Sequence, residues 1–120
     1  MKRTRTIKSK ALLFGLNYEG TEHELRGCVN DVKNMSKFLK EKMGYDCEVL
    51  TEDQDTNSLS MIRHLYKLAI ETHIKKIDYV WIHYSGHGSY KKDKNKEETD
   101  GYDECLVPSD LKLISDDILN

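Results

Sequence analysis

The sequence predicts a single α/β domain with a mainly parallel sheet flanked by helices. Its apolar segments alternate in the order strand, helix, strand, helix, strand, an order that favours a parallel sheet with right-handed crossovers. The third strand segment, residues 79–84, is apolar except at His83, as is typical of a strand buried on both faces. At 120 residues the chain is long enough for one domain.

The first half of the chain gives one strand and one helix. A short apolar run at residues 11–16 predicts the first strand, and a polar loop follows at 17–27. Apolar residues then recur at helical spacing, and Gly44 is well placed to end the helix as a residue that tolerates positive φ. The apolar positions are Val29, Val32, Met35, Leu39 and Met43.

The second half continues the alternation. Residues 45–49 alternate apolar and acidic side chains and predict a strand with one more exposed face. Residues 55–58 offer N-caps for a second helix over 59–70. The charged stretch 91–104 predicts a mobile surface loop, and the apolar piece 105–107 is stopped by Pro108. Ser115-Asp116-Asp117 is typical of a helix start, with a cap and first-turn carboxylates.

Charge is distributed unevenly along the chain. The net charge is −2, yet five of the 19 basic residues lie in the first ten positions, so the other 14 face 21 acidic residues. We interpret residues 1–9 as a solvated basic arm and residues 10–120 as the folded domain. The acidic body argues against a nucleic-acid-binding surface.

The cysteine pattern and the absence of long apolar stretches indicate an intracellular, cytoplasmic setting. Cys28, Cys47 and Cys105 are odd in number and have no paired spacing, which favours reduced thiols over disulfides. No apolar stretch approaches the length of a membrane span, and no hydrophobic segment follows the basic N-terminus as a signal peptide would require. We therefore expect no membrane partner.

His87 is the first candidate for chemistry. It stands between Gly86 and Gly88 directly after the third strand, and the carboxyl edge of an open α/β sheet is where such folds build their sites. An imidazole there is suited to activate a thiol or hydroxyl. His83 lies four residues earlier, roughly 13 Å away along a strand, so the two cannot share one metal ion. A zinc site is poorly supported because no Cys-x-x-Cys spacing exists.

Four segments together resemble the large-subunit half of a metacaspase, a caspase-like cysteine protease. They are residues 26–32 at the first helix, 84–88 at the end of the third strand, 100–110 in the acidic region, and 114–117. The resemblance extends from about residue 10 to residue 120. It implies a caspase-like three-layer sandwich, here incomplete, with a mainly parallel sheet between helices.

The resemblance also implies a function and a set of site residues. Metacaspases are hydrolases that cleave peptides after Arg or Lys with a cysteine–histidine dyad; many need Ca²⁺, and they use no organic cofactor. By position His87 matches the catalytic histidine. The residues that match the pocket for the basic side chain are Cys28, Asp31 and Ser85, and those that match calcium-binding carboxylates are Asp103, Asp116 and Asp117. A buried Asp31 would hold a guanidinium through charge-assisted hydrogen bonds.

The nucleophile of the family has no counterpart here. The resemblance places the catalytic cysteine on a later strand, in an Asp-x-Cys-His-Ser-Gly-like segment that this sequence lacks. Two interpretations follow. The chain is one part of a protease whose remaining half, a companion chain, supplies the cysteine, and this part alone is inactive; or it is a non-catalytic, calcium-binding regulatory or interaction module. We favour the first because the motifs around His87 and Asp31 are intact.

Overall fold

The computed structural model describes residues 6–92 and 102–115, with residues 90–92, 102–104 and 115 described by their backbone alone. Three helices and six strands follow one another along these residues. They are β1 (Ser9–Gly15), α1 (Cys28–Met43), β2 (Asp46–Leu50), α2 (Asp53–Thr56), α3 (Ser58–Ile74), β3 (Tyr79–Ser85), β4 (Gly88–Lys92), β5 (Tyr102–Leu106) and β6 (Ile114–Ser115).

Two sheets are formed, and the first is entirely parallel. Its strand order is β2-β1-β3, so the first strand of the chain is the central one. Ala11 is in register with Cys47 on one side and with Trp81 on the other. The second sheet is antiparallel, with order β4-β5-β6. The predicted parallel sheet is therefore present, and a small antiparallel sheet follows it.

Alternation along β1 divides the core between two helical layers. Leu12 and Phe14 pack with Met61 and Leu68 of α3, whereas the intervening Ala11 and Leu13 pack with Val32 and Leu39 of α1. All of these side chains are buried. Since successive side chains of a strand point to opposite faces, α1 and α3 cover opposite sides of the sheet. The result is the predicted sandwich of three layers.

The helix ends follow the capping rules that the sequence suggested. Gly44 ends α1 with φ of 73°, and its N–H donates to the Leu39 carbonyl. Asn57 begins α3, because its side-chain oxygen accepts a hydrogen bond from the Ser60 N–H. The short helix α2 directly before Asn57 was not predicted; four residues are too few to give a periodic apolar pattern.

The prediction that β3 is buried on both faces is wrong for this chain. Tyr79, Val80 and Ile82 are exposed, Ile82 by 54%. β3 pairs with β1 along one edge, and none of the other described strands pairs with its outer edge. An edge strand cannot be covered fully by helices that centre on β1. Its apolar side chains therefore lie exposed at the edge of the described sheet.

Two predictions for the C-terminal region need correction. The stretch 91–104 is not a loop throughout, because its ends belong to the hairpin of β4 and β5, in which Lys91 is opposite Asp103. Ser115 lies in β6 and not at a helix start. Local charge suggested a loop, but strand pairing between segments distant in sequence decided the outcome. Asp116 and Asp117 lie outside the described residues.

Polar contacts tie the start of β1 to the far end of α3. The Lys8 N–H donates to Asp78, and Lys10 Nζ forms an ion pair with Glu71 Oε2 at 2.8 Å. The hydrogen bond from Lys10 lowers the pKa of Glu71, while the same bond raises the pKa of Lys10.

No helix within the described ranges is long and apolar enough to cross a membrane.

We predict that Gly15→Ala destabilises the fold where α1 crosses β1. A Cβ at Gly15 would lie 2.5 Å from Val32 Cγ2 and 3.0 Å from the Cys28 carbonyl oxygen, so the helix would have to move. Overpacking of this kind costs about 1–3 kcal/mol. Gly27→Ala is the matched control, because a Cβ there meets no atom within 4 Å. Urea unfolding should show a clearly larger loss for Gly15→Ala; equal losses would contradict this packing account.

Candidate active site

The site lies at the carboxyl end of β3, where His87 follows Ser85 and Gly86. His87 is half-buried. It lies between the end of the parallel sheet and the start of the antiparallel sheet, because β4 begins at the next residue. The loop that follows β1, residues 16–27, lies against the same edge because β1 and β3 are parallel neighbours. The loop after β1 and the turn between β3 and β4, which are far apart in sequence, therefore meet around one imidazole.

The imidazole of His87 is fixed by a main-chain oxygen. Its Nε2 atom lies 2.7 Å from the carbonyl oxygen of His23. A carbonyl oxygen can only accept, so Nε2 must carry the proton. In the neutral imidazole the lone pair is then on Nδ1, which is the atom able to act as a base. The His23 ring itself lies edge-on, with its centroid 6.3 Å from that of His87.

Tyrosine hydroxyls hold the main chain of His87 in a closed cycle of hydrogen bonds. The His87 N–H donates to the Tyr18 hydroxyl at 2.9 Å, which donates to the Val107 carbonyl at 2.6 Å. The Val107 N–H donates to the Tyr84 hydroxyl at 3.2 Å, which donates to the His87 carbonyl at 2.6 Å. We call these four residues the tyrosine–backbone ring. Both peptide groups of His87 are satisfied within it.

Ionisation of Tyr84 would break the tyrosine–backbone ring. Burial, and then the neighbouring Tyr18 hydroxyl, raise the pKa of Tyr84 well above its ordinary value. The two hydroxyl oxygens lie 3.1 Å apart. A phenolate at Tyr84 would lose its donated bond to the His87 carbonyl and would face that oxygen without a proton between them. The neutral phenol is therefore the form that the fold requires.

Gly86 is required by the two tyrosines. A Cβ at this position would lie 2.7 Å from the Tyr84 hydroxyl oxygen and 2.8 Å from that of Tyr18. Neither oxygen can withdraw without opening the tyrosine–backbone ring. The glycine before His87 is thus explained by the close approach of two side chains to the main chain.

The loop after β1 organises the site and the start of α1 together. The Asn17 side-chain oxygen accepts from the N–H groups of Cys28 and Val29, which a helix start would otherwise leave without partners. Tyr18 has φ of 52°, a left-handed conformation that costs a bulky residue about 1–3 kcal/mol. Its carbonyl accepts from both the N–H and the hydroxyl of Thr21, which hold the turn.

The predicted pocket residues are partly brought together. The Ser85 hydroxyl donates to Asp31 Oδ2 at 3.1 Å, joining the end of β3 to the first turn of α1. Cys28 is half-buried one helical turn before Asp31, on the same side of the helix. Asp31 is exposed, however, and not buried as we expected. The side of α1 that carries it faces the uncovered edge of β3, so nothing described shields the carboxylate.

The predicted metal ligands cannot be assembled from the described residues. Asp103 lies in β5, of which only the backbone is described, and Asp116 and Asp117 lie outside the described ranges. Among the described side chains no group of three or more His, Cys, Asp or Glu residues could hold a metal ion. None of the three cysteines is in a disulfide.

Sequence reasoning missed four residues that organise the site: Asn17, Tyr18, His23 and Tyr84. A usable signal existed for Asn17 and Tyr18, because they directly follow the central parallel strand and so belong to the same sheet edge as His87. Tyr84 gives no separate signal, because an aromatic residue near the end of an apolar strand is typical of the core. His23 contributes a backbone oxygen, for which no side-chain pattern exists.

The chain matches the metacaspase peptidase C14 domain over residues 9–120. It is 43% identical over 117 residues to Metacaspase-1 of Botryotinia fuckeliana, covering 91% of this chain and 27% of that protein. It is 46% identical over 118 residues to Metacaspase-6 of Arabidopsis thaliana, covering 92% and 32%. The chain thus spans about a third or less of these curated relatives.

A solved structure shares the fold. The crystal structure of a Geobacter sulfurreducens protein superposes with a TM-score of 0.71 at 29% identity, covering 93% of this chain and 43% of that one. Together with the parallel sheet between two helical layers, this confirms the predicted caspase-like α/β fold.

We predict a loss of stability in alkali that depends on Tyr84. Because the pKa of Tyr84 is raised above the ordinary 10.0, the unfolded chain binds fewer protons than the folded one as pH rises past that value. Stability is therefore intact below about pH 10 and falls above it. Urea midpoints from about pH 8 to 11 should fall more steeply for the wild type than for Tyr84→Phe.

The exposed Tyr66 provides the control for this titration. Tyr66→Phe should keep the alkaline slope of the wild type. If the urea midpoint falls equally steeply with pH in the wild type and in Tyr84→Phe, ionisation of Tyr84 is not what destabilises the fold in alkali.

Proposed function

The chain belongs to the metacaspase family, and on that premise we propose that it is the histidine-bearing half of a calcium-dependent cysteine endopeptidase that cleaves after Arg or Lys. The observation that carries the proposal is the state of His87. Its Nε2–H is committed to the His23 carbonyl, which leaves Nδ1 as the base at the carboxyl edge of the sheet. Solvated surface histidines have no such fixed tautomer.

The chemistry follows from this geometry once a thiol is supplied. His87 Nδ1 takes the proton of the thiol, and the thiolate attacks the carbonyl carbon of the scissile peptide. The imidazolium then returns the proton to the leaving amine, which departs with the bond pair and leaves a thioester. Water hydrolyses the thioester to the acid and regenerates the thiol. Throughout, the His23 carbonyl supports the charged imidazolium by accepting from Nε2–H.

The preference for basic residues would come from Asp31. Its carboxylate is held by the Ser85 hydroxyl at the end of the same strand that presents His87. A fixed carboxylate accepts two hydrogen bonds from a guanidinium, or one from an ammonium. Cys28, one turn earlier on α1, would form a small wall of the same pocket. In this proposal, covering Asp31 needs material from outside the described residues.

The proposed cover is the remaining half of the protease, added beside β3. The outer edge of β3 has exposed apolar side chains on the face toward α3. A groove of about 630 Å³ lies there, lined by Ile62, Leu65, Tyr66, Leu68, Ala69, Thr72, Val80 and Ile82. An extended segment can pair with such an edge through main-chain hydrogen bonds while its side chains fill the groove.

The opposite face of β3 supports the same placement. There, a smaller cavity of about 340 Å³ is lined by Asp31, Asn34, Met35, Phe38 and His83, and Phe38 is 50% exposed. A strand added to β3 would cover both cavities at once. It would also shield Asp31 from water, which strengthens its interaction with a substrate cation. The missing cysteine would then stand next to His87, because neighbouring parallel strands end at the same edge.

Calcium dependence rests on the acidic C-terminal region. Carboxylate oxygens are the ligands that Ca²⁺ prefers, and we propose Asp103, Asp116 and Asp117 for this role. Part of the coordination shell would belong to the remaining half. No organic cofactor is needed for the proton transfers at His87.

The second candidate function is a non-catalytic, calcium-binding interaction module. The observation that favours it is that none of Cys28, Cys47 and Cys105 follows a strand of the parallel sheet as a nucleophile would. The apolar faces of β3 would then bind a regulatory partner instead of a catalytic half.

We predict that assembly through β3 restores peptidase activity. The isolated chain should not cleave Arg or Lys peptides, whereas a chimaera in which it replaces the matching segment of Arabidopsis thaliana Metacaspase-6 should cleave them. Ile82→Lys in the chimaera should reduce activity, because a cation would be buried in the groove. Fluorogenic peptide assays with and without a Ca²⁺ chelator measure both effects.

Leu59→Lys is the matched control, since Leu59 is equally exposed on α3 but does not line the groove. It should leave activity near that of the unmodified chimaera, while His87→Ala should abolish it. An inactive chimaera that folds normally would favour the interaction module. Activity that survives chelation would remove Ca²⁺ from the proposal.

We also predict that Asp31→Asn lowers the preference for basic residues. Removing the carboxylate charge from a covered cation pocket costs about 2–5 kcal/mol, which is well over tenfold in kcat/KM. The ratio of kcat/KM for Arg and for norleucine peptides in the chimaera should fall accordingly. Asn30→Ala, an exposed neighbour on α1, should leave that ratio unchanged. An unchanged ratio in Asp31→Asn would exclude this role.

A further inference from the structure

Tyr18 contacts His87 in two independent ways. Its hydroxyl accepts the main-chain N–H of His87 at 2.9 Å. Its aromatic ring lies against the imidazole, with ring centroids 4.7 Å apart and planes inclined by 37°. The Tyr18 side chain therefore restrains both the main chain of His87 and the orientation of its imidazole.

The hydroxyl of Tyr18 is committed to this arrangement. It has one proton, which it donates to the Val107 carbonyl at 2.6 Å, so its lone pairs are what remains for the His87 N–H. The side chain is also buried, with 5% of its surface exposed. A buried ring with both hydroxyl functions satisfied cannot rotate away without breaking two hydrogen bonds.

The second restraint on the imidazole comes from the same loop. The carbonyl that accepts His87 Nε2–H belongs to His23, five residues after Tyr18. Hydrogen bonds from Thr21 to the Tyr18 carbonyl and from Glu24 to the Thr21 carbonyl fold the intervening turn. The ring stack and the Nε2 acceptor are therefore positioned by one short structure, and loss of the stack would free the imidazole to leave the His23 carbonyl.

We propose that Tyr18 is the positioning residue of His87. Its hydroxyl fixes the main chain of His87, and its ring holds the imidazole in the orientation that keeps Nε2–H on the His23 carbonyl and Nδ1 available. The importance of this for catalysis rests on the proposed function. The positioning itself is a property of the 120-residue chain and can be tested without activity.

The experiment is NMR on the isolated chain, with two variants that separate the hydroxyl from the ring. In Tyr18→Phe the His87 amide should exchange about tenfold faster, as expected for loss of one hydrogen bond, while the ring-current shift of the imidazole protons and the Nε2–H signal persist. In Tyr18→Leu the ring-current shift and the Nε2–H signal should both disappear. Amides of β1 serve as the internal reference for global stability.

Tyr45→Phe is the control, because Tyr45 packs against Trp81 on the α1 side of the sheet and should leave every His87 signal unchanged. The proposal is overturned if His87 amide exchange in Tyr18→Phe changes only in step with the β1 amides. It is also overturned if the Nε2–H signal survives in Tyr18→Leu. An inactive protease chimaera would count against the proposed function and not against this assignment.

Discussion

The closed cycle of hydrogen bonds among Tyr18, Tyr84, His87 and Val107 is the interaction on which the site depends. It joins three segments that are far apart in sequence: the loop after β1, the end of β3 and the end of β5. The segment between β5 and β6 is held separately to α2, through the hydrogen bond from the Ser109 N–H to the Thr56 carbonyl. The cycle thus connects the two sheets at the point where His87 stands.

The loop of residues 16–27 links helix α1 to the histidine. Asn17 caps α1, the Tyr18 hydroxyl accepts the His87 N–H, and the His23 carbonyl accepts from the imidazole. The same helix carries Asp31, which bonds to Ser85 on the strand that leads to His87. A shift of α1 would therefore displace both Asp31 and the loop that positions the His87 imidazole. In the proposed function, the carboxylate that would recognise a substrate and the imidazole that would act on it are held by one small structure, which is what preorganisation of a site requires.

The sequence predicts those parts of the molecule that have a local cause. The pattern of apolar residues predicted β1, α1 and α3, because each of these elements buries apolar side chains. Gly44 predicted the end of α1, because glycine tolerates the positive φ that ends a helix. The position of His87 followed from the strand before it. Its partners could not be found in this way, since Tyr18 and His23 are 69 and 64 residues away from it. The exposure of Asp31 and of β3 could not be predicted either, because an apolar run does not show whether a strand lies at the centre or at the edge of its sheet.

The open edge of β3 also has a consequence for how the chain behaves in solution. Natural edge strands are protected by lysines, prolines or bulges, which prevent pairing with strands of other molecules. β3 reads Tyr-Val-Trp-Ile-His-Tyr-Ser and contains neither lysine nor proline, and its register with β1 runs without a bulge. An exposed edge of this kind is a site at which two copies of the chain can pair. We therefore expect self-association of the isolated chain to increase with its concentration.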